Sequence, residues 1–296
     1  MNPFTEQNSN VGIVSRSGVL IKAVKILAAA FVLISAFIWK IPVAARTYGY
    51  WTVREALKTY TVVCTVGMEK LTSDHFYVKF RPANRADARL VLEAAEFFYR
   101  PVVEDFGYTP RGRVPIIMHS SREELNRSFG WEANESAIGV YYSGVIRALA
   151  PQSWIDDQDP ENVKEIFLTA GPMAHEYTHL MIDYLTGGNY PRWFTEGMAQ
   201  YEEYKLTGFR LSEQTGAVGG NGCYTMKEMA ENFDGLSNQP LAYKEALAAI
   251  EYIADEYGEK TLHSLIGALS NGMTFENALQ KYLGLDYNGL EKCRRG

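Results

Sequence analysis

The chain has 296 residues, 47% of them hydrophobic and 22% charged, with a formal net charge of −6, enough for one large domain or two small ones around an ample core. Residues 1–46 hold five Lys/Arg and one acid, which leaves −10 on the remainder. An acidic body with no basic patch argues against nucleic acid as a partner. The absence of a C-x-x-C pair among Cys64, Cys223 and Cys293 argues against a cysteine metal site.

Ile26 to Trp39 carries no charge and follows Arg16, Lys22 and Lys25. Counted from Val19, with the two lysines snorkelling back, the stretch is long enough to span a bilayer. The expectation is a cytoplasmic tail over 1–18 and a signal anchor over 19–45, with the membrane as a partner and the body outside the cytoplasm. A cleaved signal peptide is the rival, since Val43-Ala44-Ala45 resembles a cleavage site. Lys40 is awkward for cleavage, and Trp39-Lys40 suits an interfacial anchor.

Residues 46–72 read as a partly amphipathic connector, with Tyr50, Val53, Leu57 and Tyr60 at helical spacing. A strand is expected at His75–Phe80, a helix over Ala86–Phe106 ending near Gly107, and a second strand at Arg113–His119. Pro115 places that second strand near a sheet edge. Ser120 or Ser121 caps a helix carrying Arg122–Phe129. His75 and His119 stand at strand ends without ligand-like spacing and read as structural. Ile138 to Arg147 reads as strand, tight turn and strand. Asp159-Pro160-Glu161 opens a helix, which Gly171-Pro172 breaks or restarts.

His175-Glu176-Tyr177-Thr178-His179 comes next, in a stretch from Ala170 to Leu185 that is apolar at helical spacing and is stopped by Gly187-Gly188. Two imidazoles four residues apart fall on one helix face, where both can grip one zinc ion, and Glu176 can reach a water there as general base. A catalytic zinc needs a third protein ligand. Pro191 to Leu206 reads as a second helix, and the short turn between the two makes them pack back to back. Glu196 is the expected third ligand, with Gly197 and Ala199 small enough for close approach. Glu202 and Glu203 compete but fit the solvated end of the helix better.

H-E-x-x-H followed on the next helix by Trp193-Phe194-x-Glu196-Gly197-x-Ala199 resembles the gluzincin zinc metallopeptidases, specifically the bacterial peptidase MA-like families. The resemblance covers roughly Asp74 to the C-terminus, although only the two helices match specifically. It implies an α+β, zincin-like catalytic domain of two lobes: an α/β lobe over 73–208 and a helical lobe over 209–296. It implies one zinc ion held by His175, His179 and Glu196, a peptide or protein substrate, and hydrolysis assisted by Glu176. In several gluzincins an acid four residues after the glutamate ligand orients the first histidine. That position is Gln200 here, and Asp183 is another residue placed for the role. The Ala137–Ala150 hairpin would supply the cleft-bordering edge strand, which can bind an extended peptide by strand addition.

Beyond residue 207 a loop-rich stretch, including Gly219-Gly220-Asn221-Gly222, gives way to helices near 225–232, 241–257, 259–270, 274–283 and 287–294. Gluzincins often place a Tyr or His from this side on the oxyanion of the tetrahedral intermediate. Tyr243 is the expected residue, ahead of Tyr224 and His263. Cys223 and Cys293 could pair in an exported protein. Against the peptidase stands a catalytically inactive zinc protein that binds peptides or scaffolds at the membrane surface. An intramembrane protease is disfavoured, because Lys164, Glu165 and Asp183 make a spanning helix there too polar.

Overall fold

In the computed structural model, residues 43–130, 137–210 and 223–295 are described. Most of the expected anchor and the Gly219–Gly222 loop lie outside them. Among the described residues no helix is long and apolar enough to cross a membrane.

Five short strands form one mixed sheet: β1 (Glu69–Thr72), β2 (Phe76–Phe80), β3 (Val114–His119), β4 (Gly139–Tyr142) and β5 (Val145–Leu149), in the order β1-β2-β3-β5-β4. β2, β3 and β5 are parallel, and the edge strands β1 and β4 pair antiparallel to their neighbours. The inner strands β3 and β5 are buried along their whole length, as a parallel sheet covered on both faces requires. β4 and β5 join through Ser143-Gly144, both at positive φ (47° and 80°), the backbone of a tight hairpin turn matched to strand twist.

Pro115 does not mark an edge: β3 is the central strand. The proline is tolerated because of where it sits in the register. Val114 donates its N–H to His75 on the β2 side (2.8 Å), so the next residue's nitrogen faces β5. Pairing with β5 begins only at Ile116, so no ladder bond is lost.

The helices are α1 (Val43–Val63), α2 (Arg85–Phe106), α3 (Arg122–Phe129), α4 (Pro160–Ala170), α5 (Met173–Thr186), α6 (Arg192–Thr207), α7 (Met226–Asn232), α8 (Gln239–Tyr257), α9 (Glu259–Ser270), α10 (Phe275–Leu283) and α11 (Tyr287–Arg295). Local chemistry sets their ends. Ser121 and Asp159 cap α3 and α4, Thr225 and Glu228 form a capping box on α7, and Gly187 in the left-handed region ends α5. The apolar face of the sheet, α2, α5, α6 and the C-terminal helices share one core, running from Phe76 and Ile116 through Tyr177 and Phe194 to Ile250 and Leu279. Residues 47–296 form one compact unit. Cys64, Cys223 and Cys293 are free and exposed, so Cys223 and Cys293 are not bridged.

Among the described residues the strand-end histidines stand outside the group that could hold a metal ion. His75 pairs with Glu96 (2.8 Å) and stacks on Tyr99. His119 is buried, with neither ring nitrogen hydrogen-bonded among the described residues. Burial lowers its pKa from 6.5 to about 4. The unfolded chain therefore takes up a proton near pH 6.5 that the folded chain refuses until about pH 4. Its contribution to stability is full above pH 6.5 and is lost as the pH falls through that window, by roughly 3 kcal/mol. Urea unfolding at pH 7 and pH 4.5 should show a smaller acid loss in His119→Gln than in the parent; equal losses would refute this.

Candidate metal centre and active site

α5 and α6 are joined by the turn Gly187–Pro191 and pack against each other, which brings three side chains to one point. His175 Nε2 lies 3.2 Å from His179 Nε2, and each nitrogen lies 3.4 Å from Glu196 Oε2. Tetrahedral ligands about 2.0–2.2 Å from a zinc ion stand about 3.3–3.6 Å apart, so this triangle has the size of a zinc face. Among the described residues it is the group of histidine, cysteine or acidic side chains that could hold a metal ion.

The other atoms of the three residues are engaged in ways that aim these atoms at the common point. His175 Nδ1 lies 3.2 Å from Glu203 Oε2, and His179 Nδ1 lies 2.7 Å from Thr195 Oγ1. Arg192 donates to Glu196 Oε1 (2.7 Å), leaving the buried Oε2 without a hydrogen-bond donor. A buried carboxylate oxygen without a partner, facing two imidazole nitrogens, fits a cation.

The electrostatics agree. Burial opposes a charge on Glu196, yet His179 and Arg192 outweigh it and hold the carboxyl well below its usual range. Burial pushes His179 down to about 4. Burial also opposes a charged His175, but Glu196 and Glu203 outweigh it and hold its pKa well above the usual value.

Glu203 corrects the sequence reading. Glu202 and Glu203 are not at a solvated end: they are 1% and 7% exposed. Glu203 lies two turns beyond Glu196 on the same helix face, and there it meets His175. Glu202 points elsewhere, to Lys205 (3.1 Å), with its pKa raised to about 7 by burial and Asp105. Gln200 does not orient a histidine either; its amide donates to the carbonyls of Glu196 (3.3 Å) and Tyr243 (3.0 Å). Asp183 also misses the histidines and is fully buried, accepting from Tyr50, Arg54 and Tyr141. Removing the acceptor on His175, in Glu203→Ala, should weaken zinc binding about 10- to 100-fold while the fold persists. Competition with a chelator measures this, and unchanged affinity would refute the assignment.

Glu176 follows the first histidine, is 6% exposed, and accepts the backbone N–H of Tyr141 on β4 (2.6 Å). Burial raises its pKa to about 7, beyond what His175 restores. A carboxyl poised near neutrality can both take up and release a proton. Gly139 on the same strand lies so close that a Cβ there would come within 2.3 Å of Pro172 and 3.0 Å of Glu176. The edge strand therefore lies directly along the start of α5.

Tyr243, on the first turns of α8, is half-buried; burial and then the Glu196 carboxylate raise its pKa, with Glu176 adding to the effect. Its ring packs edge-on against Phe233. Tyr224 accepts from the backbone of Asn238 (2.8 Å). His263 sits away from the cluster, against Asp105 and Phe106.

Residues 161–296 match the family model described as the Peptidase MA superfamily. No curated protein matches the chain. Among solved structures, the chain is similar to a mutant two-domain M1 zinc metallopeptidase bound to L-arginine, at 12% identity and a TM-score of 0.40. It is also similar to a mutant M1 zinc metallopeptidase from Deinococcus radiodurans, at 14% identity and a TM-score of 0.41. Each similarity covers 77% of this chain and 51% of the other, so the chain spans about half the length of these structures. The segment that matches the family model contains both helices that carry the cluster.

Proposed function

We propose that the protein is a zinc-dependent peptidase of the gluzincin type. The observation that carries this reading is the zinc-sized triangle of His175 Nε2, His179 Nε2 and Glu196 Oε2, with Glu176 beside it. When bound, zinc supplies a Lewis acid for the scissile carbonyl and makes a water acidic enough to attack near neutral pH. His175, His179 and Glu196 hold the ion. Glu176 takes the proton of the attacking water and returns it to the leaving amine. Tyr243 keeps its proton and offers its hydroxyl to the oxyanion. With the Tyr141 N–H given to Glu176, the outward edge of β4 offers the backbone of Gly139 and the carbonyl of Tyr141 to an extended peptide lying in the cleft.

The zincin-like division into an α/β lobe and a helical lobe belongs to the same reading. So does the setting: a body outside the cytoplasm, tethered by the apolar run at 19–45 or released from it by cleavage.

Zinc content and cleavage of a peptide library test the proposal. One zinc per chain is expected, with cleavage that a chelator abolishes and zinc restores. Zinc without cleavage would favour the inactive peptide-binding or scaffold reading. A folded protein that takes up no zinc would overturn both.

A further inference from the structure

Glu176 and Asp183 are seven residues apart on α5 and therefore share one helix face, two turns apart. One residue of the edge strand spans both. Tyr141 donates its backbone N–H to Glu176 Oε2 (2.6 Å) and its phenol to Asp183 Oδ2 (2.5 Å). The phenol oxygen in turn accepts the N–H of Gly144 in the hairpin turn (3.0 Å), so the same side chain also fixes the end of β4.

Asp183 is held from the far side by the N-terminal helix. Tyr50 donates to its Oδ1 and Arg54 to its Oδ2 (3.3 Å). The Arg54 guanidinium lies 3.6 Å from the centre of the Tyr184 ring, and Arg54 is itself buried. The fit is close elsewhere too: a Cβ on Gly188 would come within 2.6 Å of the Tyr50 ring. Side chains from α1, α5 and β4 thus converge on one buried carboxylate, and the strand they secure is the one that carries the hydrogen bond to Glu176.

We propose that Tyr141 is a positioning residue for the reaction, and that α1 acts through Asp183 and Tyr141 to hold the edge strand in register with Glu176. This rests on the reading of Glu176 as the general base. The phenol–carboxylate bond sets how far β4 slides along α5, and that sets where the Tyr141 N–H holds the Glu176 carboxylate. Helix α1 is then part of the active-site frame as well as a connector. Arg54 places a buried guanidinium against the carboxylate that accepts from both phenols.

Tyr141→Phe tests the bridge, because it keeps the ring and the backbone N–H and removes only the phenol. Tyr50→Phe with Arg54→Met tests the contribution of α1. Both full-length variants should keep one zinc. Each should lower kcat about tenfold with KM within about twofold, because misplacing a catalytic group is felt mainly in the chemical step. Amide exchange at Tyr141 should become about tenfold faster in both, as its hydrogen bond loosens. Unchanged exchange in Tyr141→Phe would overturn the proposal. So would faster exchange with unchanged kcat, which would leave the bridge merely structural. If the parent binds zinc but cleaves nothing, the peptidase reading fails, while exchange still decides whether the bridge holds the strand. If Tyr141→Phe does not fold, the α1 double variant decides by the same two measurements.

Discussion

Glu176→Gln should lower kcat about a hundred- to ten-thousand-fold, the range spanned by loss of a general base, and the protein should still bind one zinc ion. The substitution keeps the side-chain shape and an oxygen to accept the Tyr141 N–H at 2.6 Å, so the edge strand keeps its anchor. What disappears is the ability to gain and lose a proton. Glu176 carries none of the three atoms that form the zinc-sized triangle. A paired measurement of zinc stoichiometry and single-turnover cleavage separates the outcomes. Full zinc with residual activity near that of the parent would remove Glu176 from its role. Loss of zinc would mean that the residue supports the site in another way.

The second large effect concerns a residue with no side chain. A Cβ on Gly197 would lie 2.5 Å from the backbone oxygen of Ala246 and 2.6 Å from Ile250. The obstacle is partly the α8 backbone, which cannot rotate aside. Gly197→Ala must therefore push α6 away from α8, at a cost of about 1–3 kcal/mol for overpacking. Glu196 is the neighbouring residue, so the displacement also spoils the ligand triangle. Urea unfolding should show the destabilisation, and the purified variant should hold less zinc. Gly267→Ala is the control: Gly267 lies within helix α9, where a Cβ meets nothing within 4 Å. There alanine should stabilise by roughly 0.5–1 kcal/mol. Equal effects at the two positions would show that the contact at Gly197 is not limiting.

Much of this arrangement is legible before folding. Apolar residues at helical spacing, with glycine or proline at the ends, place α9 at Glu259–Ser270 and put α5 and α6 within a few residues of their observed limits. Histidines four apart on one helix and a glutamate near the start of the next suffice to bring together the triangle, because a short turn leaves the two helices only one way to pack. The partners of those ligands are harder to read. Glu203 looks like a surface carboxylate in a polar run, and only the packing of α6 against α5 reveals that two turns from Glu196 leads to His175. Asp183 looks like an exposed residue one turn past His179, yet its partners lie 133, 129 and 42 positions away. β1 escaped notice because Glu69 and Lys70 hide its alternation in a sheet edge that is half exposed. Pro115 misled because a proline announces a missing donor, and not the side on which a neighbour is missing.

The contact between α6 and α8 also bears on the order in which the site is completed as the chain is made. His175, His179, Glu196, Thr195 and Glu203 all belong to one helical hairpin and can meet as soon as residue 203 is free to fold. The surface against which Gly197 seats is built from Ala246 and Ile250, which follow about fifty residues later. A nascent chain therefore possesses the three side chains of the triangle before it possesses the helix against which Gly197 seats.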